Sequence, residues 1–236
     1  MSKILVKNKE IVVPGEVLAE GMDNLPGLGT YRAGEQILAA RLGLTYIDGR
    51  TIKLIQLSGR YTPKKNDTII CKVMDINFSG WRIDTNSAYS AMLSMREATS
   101  DYIQKGADLT QYYNLGDYVV AQITNVTSQN LIDVTMKGPG LHKLQGGRMI
   151  EVSPYKVPRI IGKQGSMVGM IKQATDCRIT VGQNGRVWMQ GGADSELLVE
   201  KTIRKIEAES HLAGLTERIQ KFLEKETGKK LEVGSR

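Results

Sequence analysis

The sequence predicts a multidomain chain that is mainly β, with an α+β part toward its C-terminus. Three observations predict it. Turn signals separate short apolar runs over residues 1–59, and five further strand-like runs fall between 61 and 144. From Arg148 the pattern becomes strand, helix, loop, helix, strand, strand, helix. At 236 residues the chain suits two or three small domains, each long enough for its own core.

Residues 1–59 read as a β-sandwich or half-barrel. The apolar run Glu10 to Val17 is broken by Pro14-Gly15, and the glycine-rich stretch Pro26-Gly27-Leu28-Gly29-Thr30-Tyr31 follows. Asp48-Gly49 then joins Leu42–Ile47 to Thr51–Leu57 as a hairpin. The apolar faces carry few charges, as expected of a β-domain that lies against something larger. Val12 to Glu16 contains no catalytic residue type.

Residues 60–145 supply five strands: Thr68 to Ile76, Trp81 to Asn86, Ala88 to Leu93, Tyr118 to Val126 and Leu131 to Met136. Five short antiparallel strands fit an OB-fold barrel. Ser79-Gly80 turns the first strand into the second, and Asn66-Asp67 and Gly116-Asp117 each introduce an apolar strand. The second and third strands of such a barrel present the oligonucleotide face. Register decides whether Trp81, Arg82 or Tyr89 is displayed there, and Trp81 reads equally well as a core aromatic. Lys64, Lys65, Arg96 and Lys105 lie in the bordering loops, where cations contact phosphates without reading sequence.

From 146 to 210 the elements are a strand from Arg148 to Ser153, a helix from Val157 to Ile161 and a second helix from Ser166 to Thr175. Two strands, Cys177 to Gln183 and Arg186 to Gln190, then flank Asn184-Gly185, the pair that a type I′ hairpin turn demands, and a third helix capped by Asp194 runs to about Ser210. Between the first two helices stands Gly162-Lys163-Gln164-Gly165. Two glycines three apart let the backbone lie against a nucleic-acid backbone, and the following helix aims its unpaired amides at the same place. Arg159, Lys163, Gln164, Ser166 and Lys172 join the two glycines as candidate RNA contacts. From Pro154 to Arg186 six cations, Arg186 among them, face Asp176 alone. Trp188 reads as core. This order, βααββα around a Gly-x-x-Gly loop, resembles the type I KH domain. A last helix from Leu215 to about Thr227 precedes a basic tail with Lys229, Lys230 and Arg236.

The formal charge of +7 suits an anionic partner, with 16 basic against 14 acidic side chains in residues 1–145 and 16 against 11 beyond. Cys71 and Cys177 sit in apolar strand-like contexts and read as buried thiols of a reducing compartment. No apolar run is long enough for a membrane span and no signal-peptide core opens the chain, so a cytoplasmic protein without membrane attachment is expected. His142 and His211 have no partner at metal-ligand or triad spacing, and Asp75, Asp84 and Asp133 are dispersed through strands. Neither an enzyme nor a metal or cofactor site is expected.

Taken in order, Val12-Val13-Pro14-Gly15-Glu16, Gly29-Thr30-Tyr31, Tyr61-Thr62-Pro63 with Asp67, Ser79-Gly80-Trp81 and the Gly162–Gly165 loop resemble, over nearly the full length, the KH-containing RNA-binding cap subunit of the archaeal RNA exosome. Asn66 stands where that family often has glycine. The resemblance implies an S1-type barrel, and a trimeric cap, three copies per complex, on a six-membered ring of RNase PH-like subunits. In that family the N-terminal domain docks on the ring, which performs the phosphorolysis, and single-stranded RNA enters at the pore. Mixed caps with a related zinc-ribbon type subunit are also implied. A polynucleotide phosphorylase fragment would carry its KH before its barrel, the reverse of this order. A free-standing single-stranded RNA-binding or ribosome-associated protein is the alternative. The resemblance makes Gly162→Asp with Gly165→Asp a test expected to weaken RNA binding without unfolding the domain.

Overall fold

The structure, a computed structural model, describes residues 3–104, 106–212 and 214–228. It divides into two compact units, Met1–Gly59 and Arg60–Arg236.

In the first unit, strands β1 (Lys3–Ile4), β2 (Ile11–Val12), β3 (Val17–Glu20), β4 (Leu25–Pro26), β5 (Thr30–Ala33), β6 (Gln36–Ala39), β7 (Gly43–Asp48) and β8 (Thr51–Gln56) form two four-stranded sheets. Their orders are β1-β3-β6-β5 and β2-β7-β8-β4. Val12, Leu18, Ala19, Ile37, Ala39, Ile52 and Leu54, drawn from both sheets, make a small shared core. The glycine-rich stretch is explained by contact with β8. A Cβ on Gly27 would lie 2.5 Å from Lys53 Cγ, and Thr30 Oγ1 accepts from Gly27 N at 2.8 Å and donates to Ile52 O at 3.0 Å.

The second unit begins with β9 (Thr68–Asn77), β10 (Gly80–Asp84), β11 (Ser90–Ser94), the short α1 (Met95–Ala98), β12 (Tyr118–Val126), β13 (Ile132–Thr135) and β14 (Lys143–Leu144). The order β13-β11-β10-β9-β12-β14, with β13 also paired to β12, closes a five-stranded barrel to which β14 adds an edge. Asn66 adopts φ +71°, a left-handed conformation that asparagine tolerates, which accounts for its standing at a glycine position. The second strand stops at Asp84 and the third starts at Ser90, shorter than the apolar runs. The reason is local: the hydroxyls of Thr85 and Ser87 both donate to Tyr89 O, at 2.7 and 3.1 Å, and Asn86 turns to φ +58°.

Beyond the barrel come β15 (Arg148–Glu151), α2 (Val157–Ile161), α3 (Ser166–Thr175), β16 (Arg178–Val181), β17 (Arg186–Gln190), α4 (Ala193–Glu209) and α5 (Leu215–Thr227). The antiparallel sheet has the order β15-β17-β16, as in a type I KH fold. Ile160, Ile171, Val187, Met189, Val199, Ile203 and Ile206 are its innermost residues, and Ile219 and Leu223 of α5 are buried in the same core. Asp194 does not cap α4. Gly192 holds that position, Asp194 lies in the first turn where its charge suits the helix dipole, and Glu196 Oε1 accepts from Gly191 N at 3.0 Å. The basic tail lies outside the described residues.

The Asn184-Gly185 hairpin forms, but not as a type I′ turn. Of the two residues only Gly185 has positive φ, at +84°. Gly185 N bonds Gly182 O at 3.1 Å and Gly182 N bonds Arg186 O at 2.8 Å, giving a type I turn closed by a glycine bulge. The cause is tertiary. This turn is inserted into the barrel, where Gln183 N donates to Thr68 O at 2.9 Å and Gln183 Oε1 accepts from Thr68 N at 3.0 Å. The fully buried Asn184 side chain accepts from Ile70 N at 3.2 Å and donates to Ile70 O and Thr85 O, both at 2.8 Å. Beside it Trp188 packs with Ile70, Val120 and Leu144 and donates Nε1 to Gly146 O at 2.8 Å. These contacts make the barrel and the KH fold one compact unit.

Candidate nucleic-acid interface

The α2–α3 junction is built by glycine conformation. Gly162 ends α2 at φ +75°, ψ 175°, a region open essentially to glycine alone, and a Cβ there would lie 2.7 Å from both N and Cβ of Met167. Gly165 sits at φ +80°, ψ 11° with open space where a Cβ would be, its nearest neighbour 4.0 Å away. The first glycine is therefore required by packing and the second by backbone conformation. Gln164, at φ 52°, ψ 28°, is also left-handed. The result is a tight loop that leads directly into the N-terminus of the ten-residue α3, whose first amides have no intrahelical acceptor.

Around it Arg159, Lys163, Gln164 and Ser166 are exposed, and among the described residues no ion pair engages Arg159 or Lys163. Lys172 is exposed too, but six residues into α3, about 9 Å along the axis from Ser166. It lines a separate groove with Arg178. Arg186 does not belong to the basic surface at all. It is 6% exposed, donates to Ile70 O and Asp84 O, pairs with the Asp84 carboxylate and approaches Glu151 Oε1 at 3.6 Å. The turn that carries it is consumed by the barrel contact, so its charge is neutralised there.

The barrel candidates are dispersed. Trp81 is fully buried: the β10 register, Trp81 opposite Leu93 and Ile76, aims it inward, where Nε1 donates to Tyr113 O at 3.0 Å and the ring meets Tyr113 edge-on at 5.2 Å. It cannot stack on a base. Arg82, the next residue, points outward and lies 3.7 Å from Asp75. Lys64 and Lys65 are exposed before the start of β9, whereas Arg96 is exposed on α1, beside the turn at its far end, where Met95 N bonds Ser79 O. They do not form one cluster. Lys105 lies outside the described residues. Sequence reasoning missed two strongly exposed aromatics, Tyr102 at 87% and Phe78, 93% exposed in the β9–β10 turn. The turn position makes Phe78 the one beside the barrel strands. Its signal was available: an aromatic directly before Ser79-Gly80 stands in a turn, where no strand alternation can bury it.

Burial pushes the Cys71 thiol and the Tyr113 phenol up, and burial with a 2.6 Å bond to Asp67 does the same for Tyr61. These are structural groups, each inside the barrel core. Among the described residues no three His, Cys, Asp or Glu side chains converge as metal ligands, and no helix is long and apolar enough to cross a membrane.

The KH domain family matches residues 147–195. Over 227 residues, 94% of this chain and 85% of the relative, the sequence is 41% identical to the exosome complex component Rrp4 of Pyrococcus abyssi. The chain belongs to the Rrp4 family of exosome complex components. The Rrp4 of Methanothermus fervidus is 39% identical, with 93% of this chain and 97% of that protein covered. A crystal structure named for an exosome complex RNA-binding protein superposes with a TM-score of 0.64 at 32% identity, covering 71% of this chain and 97% of the other. For an Rrp4-family chain the exposed, positively charged loop after α2 is the feature suited to a nucleic-acid backbone.

Proposed function

We propose that this chain is the non-catalytic RNA-binding subunit of an exosome, a cap that captures single-stranded RNA and delivers 3′ ends to a phosphorolytic ring. The observation that carries the reading is the Gly162–Gly165 loop, with left-handed Gln164 and Gly165 leading into the N-terminus of α3, and with Arg159 and Lys163 exposed and in no ion pair among the described residues. Such a loop holds about four nucleotides by their backbone. Phe78, with Arg82 beside the barrel face, adds a second, weaker contact by stacking, and linkage of weak sites gives avidity. The first unit exposes Ile11, Val13, Met22, Leu25, Leu28 and Ile55, each more than half accessible. So much apolar surface on 59 residues suits docking on a ring of RNase PH-like subunits. Three copies per ring, alone or mixed with zinc-ribbon type cap subunits, and action in the cytoplasm complete the reading.

The test is reconstitution with the ring, reading complex mass and degradation of a single-stranded RNA. Three chains per ring with faster degradation, and no activity of the chain alone, is the expected result. RNA binding without ring association would favour the free-standing RNA-binding protein. For the loop, Gly162→Asp is an unsuitable probe because any Cβ there collides with Met167, so the double glycine substitution would disturb the helix junction. Lys163→Asp with Gln164→Asp keeps both glycines, and aspartate tolerates the left-handed position of Gln164. It is expected to weaken RNA binding by about tenfold or more at low salt. Unchanged affinity removes the loop from the mechanism.

A further inference from the structure

A groove of about 540 Å³ lies between the last barrel residues, His142 to Gln145, and the KH fold. It is distinct from the Gly162–Gly165 loop and on the other side of the sheet from the helical core. Arg178 is opposite Gln190 and Thr180 opposite Trp188 across the β16–β17 ladder, so these side chains share the sheet face that carries Trp188. Lys172 closes the groove from the end of α3. Its volume falls within the range of about 300–1,000 Å³ typical of ligand clefts.

Three features specify its ligand. Every charged residue of the lining is basic: Lys143, Lys172 and Arg178, with no carboxylate among them. Lys143 is already paired with Asp117, but no ion pair engages Lys172 or Arg178 among the described residues. Finally, β16 is the outer strand of its sheet, so among the described residues one edge of its backbone is taken up by no other strand and offers donors and acceptors along the groove. Unpaired cations beside free backbone groups and amide side chains match a chain of phosphates with polar bases.

We propose that this groove is a second RNA site, in which Lys172 and Arg178 hold two phosphates of the single strand whose neighbouring nucleotides lie on the Gly162–Gly165 loop. The inference rests on the RNA-binding reading of that loop. Because the barrel wall and the sheet edge are held together by the Asn184 turn, the groove exists only when barrel and KH fold are joined, and it turns two modules into one continuous path.

The experiment measures affinity of the full chain for a single-stranded ten-nucleotide RNA across salt concentrations, comparing Lys172→Gln with Arg178→Gln against Lys163→Asp with Gln164→Asp. Both groove residues are exposed, so folding is undisturbed. Losing two phosphate contacts flattens the slope of log K against log salt by about 1.4, so a variant that matches the wild type at 1 M salt binds about 25-fold more weakly than the wild type at 0.1 M. The charge-keeping pair Lys172→Arg with Arg178→Lys retains the wild-type slope. Weakening by the loop variant alone overturns the groove while leaving the loop reading intact. No weakening by either variant overturns both. An unchanged salt slope in the groove variant together with capture of an extended peptide on β16 would assign the groove to a polypeptide strand and refute the proposal.

Discussion

Replacing Asn184 with alanine tests the claim that one turn welds barrel to KH fold. Its side chain is fully buried and makes three hydrogen bonds to barrel backbone. Without it the Ile70 amide loses its acceptor and the Thr85 carbonyl its donor. The Ile70 carbonyl keeps Arg186 Nη1 at 3.3 Å. Two buried backbone groups left unsatisfied, at about 1–3 kcal/mol each, give an expected loss of about 2–6 kcal/mol. Asn184→Asp should cost at least as much, because it turns the donor that serves two carbonyls into an acceptor. Urea unfolding followed by tryptophan fluorescence reads the loss, since Trp188 lies in the same junction, and amide hydrogen exchange reads its location: the Ile70 amide should lose protection before the β9–β12 ladder does. A loss below about 0.5 kcal/mol, with Ile70 still protected, would show that apolar packing around Trp188 holds the junction and that the turn's hydrogen bonds are incidental.

Phe78 and Trp81 should behave oppositely. Phe78→Ala, at a 93% exposed site, is expected to leave stability unchanged while weakening RNA binding by about 1–3 kcal/mol, whereas Trp81→Ala opens the barrel core at a cost of about 3–5 kcal/mol. Equal stability losses in the two variants would contradict the register of β10. Tyr61 gives a pH signature. Its phenol is raised in the folded chain by burial and by Asp67, so the unfolded chain ionises first. Its contribution is complete below about pH 10, the ordinary tyrosine value, and is lost as pH rises further. Tyr61→Phe should therefore show a shallower fall in stability between pH 10 and 11.5, and an identical fall would reject the assignment.

The parts of this protein legible in its sequence are those set by neighbours along the chain. The helices Val157–Ile161, Ser166–Thr175 and Leu215–Thr227 end where apolar periodicity meets a residue of positive φ, Gly162, Asp176 and Gly228 in turn, because helix hydrogen bonds close within four residues and such a residue ends them locally. The Gly162–Gly165 loop is legible for the same reason. The KH order could be read from hairpin and helix signals, and the family from motifs spread along the chain. Tertiary structure alone decided which face of β10 is inside, because the alternation Trp81-Arg82-Ile83 fits the pleat in either register until the barrel closes. It also decided the fate of Asn184, Gly185 and Arg186. In sequence they are a hairpin turn and one more cation; in the fold they are a buried connector, with the guanidinium set against Asp84, a residue 102 positions away. The groove beside β16 could not be read at all, since Lys143, Lys172 and Arg178 belong to three separate elements and meet only once the barrel and the sheet are packed. Local chemistry names the elements, but burial and charge pairing are properties of residues brought together from distant positions, and these determine which cations remain free to meet RNA.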